Sequence, residues 1–351
     1  MLATFTAAYA MKERMARSML KHPKVHAVGV GYQNPKRPDK GAAVTIYTDA
    51  LSIASLGMAS LLSVHGKGKM AKVPIRLVRT KKIRSHANYR SLIRPVPAGY
   101  SIGTSAGSGT VGLILTNFPS AKQRYIFSNN HVLTNPLNSG TPVETLQPGG
   151  ADNGKSGKDG VGRLARFVQL SRKQSNFIDA ALSIPVRNRI LSPRYATVGV
   201  IPGHVTSYKL GERFKKVGRT TGLSYGRVDS INADVKVDYG ENLGELTFKN
   251  QTIVLGSTPV SLPGDSGSVW LRRTDNFAAA VNFAGTTDGK TSIAFPVDWV
   301  MKAFQTRVAR PSGIGRIRKV NTRDDNPAYA RRLTAKELAS IKIVQAKKTR
   351  K

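Results

Sequence analysis

Apolar residues recur at helical spacing over residues 6–21, with Tyr9, Met11, Met15 and Leu20 among them, and predict an amphipathic helix. The run Val25-His26-Ala27-Val28-Gly29-Val30-Gly31-Tyr32 then reads as a strand. Residues 42–47 read as a second strand, 51–62 as a short helix and 73–79 as a third strand. Together these make a small α+β unit. A basic stretch with Arg79, Lys81, Lys82, Arg84, Arg90 and Arg94 leads to Pro95 and Pro97 and reads as a linker. Beyond it the pattern changes. Short apolar runs recur at 112–115, 124–127, 143–146, 161–168 and 178–184. They resume at 215–217, 226–237, 251–255, 268–271, 278–283 and 291–295. Repeated short strands with no helical pattern between them predict an all-β barrel or sandwich, closed by a helix over 297–307. The remainder is strongly basic, with a capping box at Thr334-Ala335-Lys336-Glu337 ahead of a short helix. The resulting division is 1–93, 94–307 and a basic, mobile tail over 308–351.

Composition narrows the chemistry. The 351 residues hold 33 glycines and 18 prolines, suited to many strands joined by tight turns, and no cysteine. Disulfides, thiolate–zinc sites and a cysteine nucleophile are therefore excluded. Lys12, Glu13, Arg14 and Arg17 interrupt the first 20 residues where a signal sequence needs an apolar run. No later stretch approaches a membrane span. The chain reads as soluble and cytoplasmic. Its 55 basic and 20 acidic residues give a net charge of +35. Such a field attracts nucleic acid or other polyanions, but the basic residues are spread along the chain and no motif reads or stacks bases.

The sharpest chemical signal is Pro263-Gly264-Asp265-Ser266-Gly267-Ser268. A serine flanked by glycines suits a nucleophile on a tight turn, where a substrate carbonyl can approach the backbone. The N–H groups of Gly264 and Ser266 can converge on a developing oxyanion while Ser266 Oγ attacks. Serine alone is a poor nucleophile and needs a base. The apolar run Tyr125-Ile126-Phe127 ends in Ser128-Asn129-Asn130-His131-Val132, which sets His131 at a strand-to-loop junction. The other five histidines, His22, His26, His65, His86 and His204, lack this setting and read as surface or structural. A third element is Asp179 in Asn176-Phe177-Ile178-Asp179-Ala180-Ala181-Leu182. An acid in an apolar strand is costly unless paired. It is either a capped or hydrogen-bonded structural residue or the carboxylate that holds the His131 tautomer.

The strings Ser-Asn-Asn-His-Val, Ile-Asp-Ala-Ala-Leu and Gly-Asp-Ser-Gly-Ser, in this order, resemble those of the trypsin-like (chymotrypsin-fold) serine peptidases, in their bacterial form, over about residues 98–304. On shorter strings, Val28-Gly29-Val30-Gly31 and Arg94-Pro95-Val96-Pro97-Ala98-Gly99, the chain also resembles a subgroup that includes the plant narrow-leaf proteins. The resemblance implies a mainly β fold, a double six-stranded β-barrel with the site in the cleft between barrels. His131 and Asp179 would come from the first barrel and Ser266 from the second. It implies a serine endopeptidase acting on protein or peptide substrates with no cofactor or metal. Lys216-Val217-Gly218-Arg219-Thr220-Thr221-Gly222 looks like the opening of the second barrel. Animal members order the oxyanion loop by pairing a new N-terminus with the acid before the serine, here Asp265. No such cleavage site is evident, so another ordering device is expected. The specificity-pocket floor would be Val260, with Asn282, Phe283 and Ala284 at the pocket's edge. Valine carries no charge to select Arg or Lys, so an uncharged apolar side chain is expected before the cut.

Two competing readings stand beside this one. Gly149-Gly150-Ala151-Asp152-Asn153-Gly154-Lys155-Ser156 matches the phosphate-loop pattern literally. That chemistry needs a following helix, and Gly157-Lys158-Asp159-Gly160-Val161-Gly162 is too glycine-rich to open one, so a hairpin is expected. The other is an idle or latent peptidase scaffold that binds nucleic acid or acidic partners through its basic surface. The N-terminal unit reads as a structural appendage or regulatory module, and in the peptidase reading it is expected to pack against the peptidase and control access.

Overall fold

The computed structural model describes residues 2–52, 73–80, 88–321 and 326–346. They divide into two compact units, Met1–His86 and Ala87–Lys351.

In the first unit the helix Phe5–Met19 begins where the Thr4 hydroxyl accepts from the Ala7 N–H at 3.2 Å. Its buried stripe is Ala8, Met11, Met15 and Met19. These positions repeat every three or four residues, so they share one face. Tyr9 and Leu20, expected on that face, are instead 56% and 53% exposed, because each lies about 100° round the helix from its buried neighbour. Strand Val25–Tyr32 pairs antiparallel with Ala42–Thr48, which pairs parallel with Ile75–Arg79. The central strand is almost wholly buried, and Val44 and Ile46 meet the methionines of the helix in one cluster. The expected helix over 51–62 lies outside the described residues apart from Leu51 and Ser52.

The second unit is mainly β. One run, Gly107–Thr110 continuing into Leu113–Asn117, is bent. Its first half pairs with Ser101–Thr104 and its second half with Arg124–Ser128. From there the order runs through Ala181–Pro185, Gly160–Val168 and Glu144–Leu146, and back to Ser101–Thr104. The bend therefore closes a first barrel. A second ring of six closes by direct ladders: Val269–Arg272, Arg213–Gly218, Gly222–Asp238, Glu245–Leu255, Thr291–Pro296 and Ala278–Gly285, which returns to Val269–Arg272. Closure removes the exposed strand edges that an open sheet would carry. Alternation along these strands sends Phe214, Val228, Val254, Trp270, Ala280 and Ala294 into one buried cluster. This is a two-barrel, chymotrypsin-like fold. Among the described residues no helix is long and apolar enough to cross a membrane.

Helix Val297–Phe304 follows, with Val297, Trp299, Val300 and Phe304 buried. The described residues after it are tied into the fold, where a mobile tail was expected. Arg316–Arg318 pairs parallel with Gly203–Val205, and Ile343–Gln345 pairs antiparallel with Gly160–Val168. Between them helix Ala335–Ser340 starts on the expected capping box, in which Thr334 and Glu337 bond each other's backbone N–H. The physical reason is apolar content that the charge count obscures. Ala330 and Leu333 are buried, and Leu338, Ile341, Ile343 and Val344 pack on the core. Tyr89, placed by sequence in the linker, is likewise buried in this unit's core. Lys347, Lys348, Arg350 and Lys351 lie outside the described residues.

Candidate active site

His131 sits in the one-turn helix Asn130–Leu133, directly after strand Arg124–Ser128. The two asparagines before it are fully buried and explain why this string folds as it does. Asn129 Nδ2 donates to the Asp179 carbonyl at 2.6 Å. Asn130 Nδ2 donates to the Val168 carbonyl at 2.8 Å, and the Asn130 N–H donates to Asp179 Oδ1 at 2.6 Å. Asp179 shortly precedes strand Ala181–Pro185, whose Ala181 is registered with Ser128. The ladder therefore brings 179 alongside 130 and 131. Asp179 is 0% exposed, and its Oδ2 lies 2.5 Å from His131 Nδ1. A carboxylate this buried is tolerable only with its lone pairs filled. Here they are: the His131 N–H also approaches Oδ1, at 3.4 Å, and the Tyr239 hydroxyl donates to Oδ2 at 2.7 Å. Burial, and then the negative charge of Asp179, push the Tyr239 phenol well above its ordinary value, so it remains a donor.

Ser266 stands between Asp265 and Gly267, with Gly264 at φ +96° and Gly267 at φ +92°, conformations that only glycine adopts readily. The Ser266 carbonyl accepts from the Thr110 N–H at 2.8 Å, and the Gly264 carbonyl from the Thr110 hydroxyl at 2.8 Å. The N–H groups of Gly264 and Ser266 donate to no other described residue. The Ser266 hydroxyl points to the Phe283 carbonyl at 3.4 Å and makes no hydrogen bond to His131 among the described residues. His131 and Ser266 face one another across a cleft of about 950 Å³.

The turn before the serine is held from within. Asp265, 0% exposed, accepts at Oδ1 from the N–H groups of Thr220 and Thr221, each at 3.0 Å, and at Oδ2 from that of Leu262 at 3.0 Å. Lys216 Nζ, also 0% exposed, lies 3.7 Å from Oδ2 and over the Trp270 ring. Burial lowers the Lys216 ammonium's pKa, and the charge of Asp265 works against that fall. An internal lysine is thus the cation that faces the acid before Ser266. Ser268 donates to the Asp265 carbonyl at 2.6 Å.

The expected specificity residues separate. Val260 is 0% exposed and belongs to the second barrel's core, away from the cleft. Asn282 is buried too, its amide donating to the Asp265 carbonyl at 3.1 Å and its oxygen accepting from Ser292 at 2.7 Å, so it braces the turn. Phe283 and Ala284 do line the cleft, together with Ser261, Leu262, Gly285, Ile293 and residues 235–239 of the long hairpin. Sequence reasoning missed Tyr239 and Lys216. Lys216 could have been found, because alternation from Phe214 turns it inward. Tyr239, 60 residues from Asp179 on a turn, left no local signal.

The glycine-rich loop forms a short 3₁₀ turn, Gly150–Asp152, with no helix behind it. Asp152 accepts from Arg219 Nε at 2.7 Å and from Ser101 Oγ at 2.6 Å, which ties the two barrels beside the candidate oxyanion turn. Among the described residues no group of His, Asp and Glu is arranged to hold a metal ion.

No protein-family model matches the chain, and no curated protein does. Among solved structures it is similar to a glutamic-acid-specific serine protease that utilises a histidine triad in substrate binding, at 19% identity over 61% of this chain and 100% of that one, TM-score 0.44. It is also similar to Protease A of Thermobifida fusca, at 18% identity over 61% and 98%, TM-score 0.44. A third neighbour is the Nocardiopsis protease, at 21% identity over 61% and 98%, TM-score 0.43. These structural neighbours are bacterial chymotrypsin-like serine proteases at low identity.

Proposed function

We propose that this chain is a serine endopeptidase with Ser266 as nucleophile, His131 as general base and Asp179 as the residue that orients the base. The observation that carries the reading is the 2.5 Å contact of Asp179 Oδ2 with His131 Nδ1, at the edge of a cleft that Ser266 shares. With Nδ1–H held by the carboxylate, Nε2 is left as the free acceptor. It takes the Ser266 proton as Oγ bonds to the substrate carbonyl carbon. The carbonyl oxygen becomes an oxyanion, and the unengaged N–H groups of Gly264 and Ser266 are the donors available to it. The proton on Nε2 then passes to the leaving amine as the C–N bond breaks. Water, activated by the same nitrogen, hydrolyses the acyl-enzyme. Beside Ser266 the cleft is walled by Ser261, Leu262, Ala284, Gly285 and Ile293, which supports an uncharged side chain before the cut, while Lys236 and Asp238 bring charge to the same cleft from the long hairpin.

The test is labelling by a fluorophosphonate, which reacts only with an activated serine. Wild type is expected to label and Ser266→Ala is not. A folded wild type that never labels, or labelling that survives Ser266→Ala, overturns the reading.

A further inference from the structure

Asp179 Oδ2 is shared by two donors from different barrels. His131 Nδ1 reaches it at 2.5 Å from the first, and the Tyr239 hydroxyl at 2.7 Å from the second. Tyr239 stands just beyond strand Gly222–Asp238, at the tip of its hairpin with Glu245–Leu255. Its ring meets His131 edge-on at 5.8 Å and stacks on Phe248 at 6.0 Å. Phe248 packs on Phe283 at 4.8 Å, and it is the Phe283 carbonyl that receives the Ser266 hydroxyl.

The tip is not free to swing. The Tyr239 N–H donates to the Gly244 carbonyl at 2.9 Å, and Arg172 Nε from the first barrel donates to the Leu243 carbonyl at 2.6 Å. One strand away, the backbone of Asn176 exchanges hydrogen bonds with Thr247 at 2.8 Å and Lys249 at 2.9 Å. The loop leading into Asp179 and the strand leading out of the tip are therefore stitched together, and the hydroxyl is presented from a fixed frame.

We propose that Tyr239 is a positioning residue of this site: its hydroxyl fixes the Asp179 carboxylate from the second barrel, and through it the orientation of His131 across the cleft. This role rests on the peptidase reading. An imidazole that must accept a proton from Ser266 and deliver it to a leaving group has to keep its plane through both transfers, and small misplacements are expensive in rate. Two backbone N–H groups fix Oδ1 from one side only. The phenol fixes Oδ2 from the other, so the carboxylate cannot rotate away from Nδ1.

Tyr239→Phe removes the hydroxyl and keeps the ring contacts with His131 and Phe248. In the full chain, the fluorophosphonate rate constant at saturation, kinact, is expected to fall about tenfold, with the half-saturating concentration KI within about twofold. In an Asp179→Asn background the same substitution is expected to change nothing further, because the hydroxyl acts through the carboxylate. That comparison also removes the buried charge, so it can be read even where the single variant folds poorly. Wild-type kinact in Tyr239→Phe overturns the role and leaves the peptidase reading standing. So does a tenfold loss that recurs undiminished when Tyr239→Phe is added to Asp179→Asn. A wild type that never labels removes both.

Discussion

Lys216→Met cuts the support beneath the candidate oxyanion turn while keeping an unbranched apolar stem one atom shorter than the lysine. In the native unit Lys216 Nζ lies 3.7 Å from Asp265 Oδ2 and 3.1 Å from Thr221 Oγ1, with both Lys216 and Asp265 at 0% exposure. Removing only the cation strands Asp265 as a buried anion with three backbone N–H partners and no countercharge. Breaking a buried pair in this way costs about 3–5 kcal/mol, whereas a similar-volume swap such as this adds little packing loss. For a unit of this size the urea midpoint should fall by roughly 1–2 M, at an m-value near the upper end of the usual range. Both tryptophans of the chain, Trp270 and Trp299, are fully buried in this unit, so their fluorescence reports its unfolding alone. Urea is the right denaturant because it adds no ions to screen the charge. Asp265→Asn in the same chain removes the stranded charge and should recover much of the loss. Because Asp265 adjoins Ser266 and anchors Leu262, fluorophosphonate labelling of Lys216→Met should also slow. A midpoint within about 0.3 M of wild type, together with undiminished labelling, would refute the idea that this pair orders the turn.

Asp152→Asn tests the tie between the barrels. Burial pushes the Asp152 carboxyl upward, but the hydrogen bonds from Arg219 and Ser101 outweigh it and hold the group below its ordinary value. A carboxyl depressed on folding adds stability above its unfolded pKa, and that stability is lost as pH falls through the folded one. Asp152→Asn should therefore lower the melting temperature at pH 7, and its deficit against wild type should shrink at pH 3; an equal deficit at both would exclude the linkage. Removing residues 312–351 deletes the ladders on Gly203–Val205 and Gly160–Val168 and the burial of Ala330 and Leu333. The melting temperature should fall by roughly 10 °C or more, and a change of less than about 2 °C would mean that the segment does not brace the barrels.

The parts of this molecule that were legible in sequence are those specified by a few consecutive residues. The apolar run 124–127 with its Asn-Asn-His ending, the acid within Ile178-Asp179-Ala180 and the glycines around Ser266 each carry their local conformation with them. Their arrangement follows once the strands are paired, since the Ala181–Ser128 register alone brings Asp179 to His131. What escaped depends on contacts between distant segments. A fixed offset from the nucleophile points to Val260, yet the chain between them turns so that Ser261 and Leu262 meet the cleft and Val260 enters the barrel core. Tyr239 reaches Asp179 only because a hairpin 17 residues deep on one arm carries it there.

The charged residues carry a second lesson. With 55 basic residues against 20 acidic ones, the chain reads as a cationic surface. The scarce acids tell more about its interior. Asp152, Asp179, Asp265 and Asp298 have side chains at most 5% exposed, and each faces a basic partner: Arg219, His131, Lys216 and Lys302 with His204. An unpaired carboxylate at such depth would be among the costliest groups the fold could contain. Three of the four lie around the candidate site, where they hold His131, the turn before Ser266 and the join between barrels. These four acids mark places where the chain must hold one geometry.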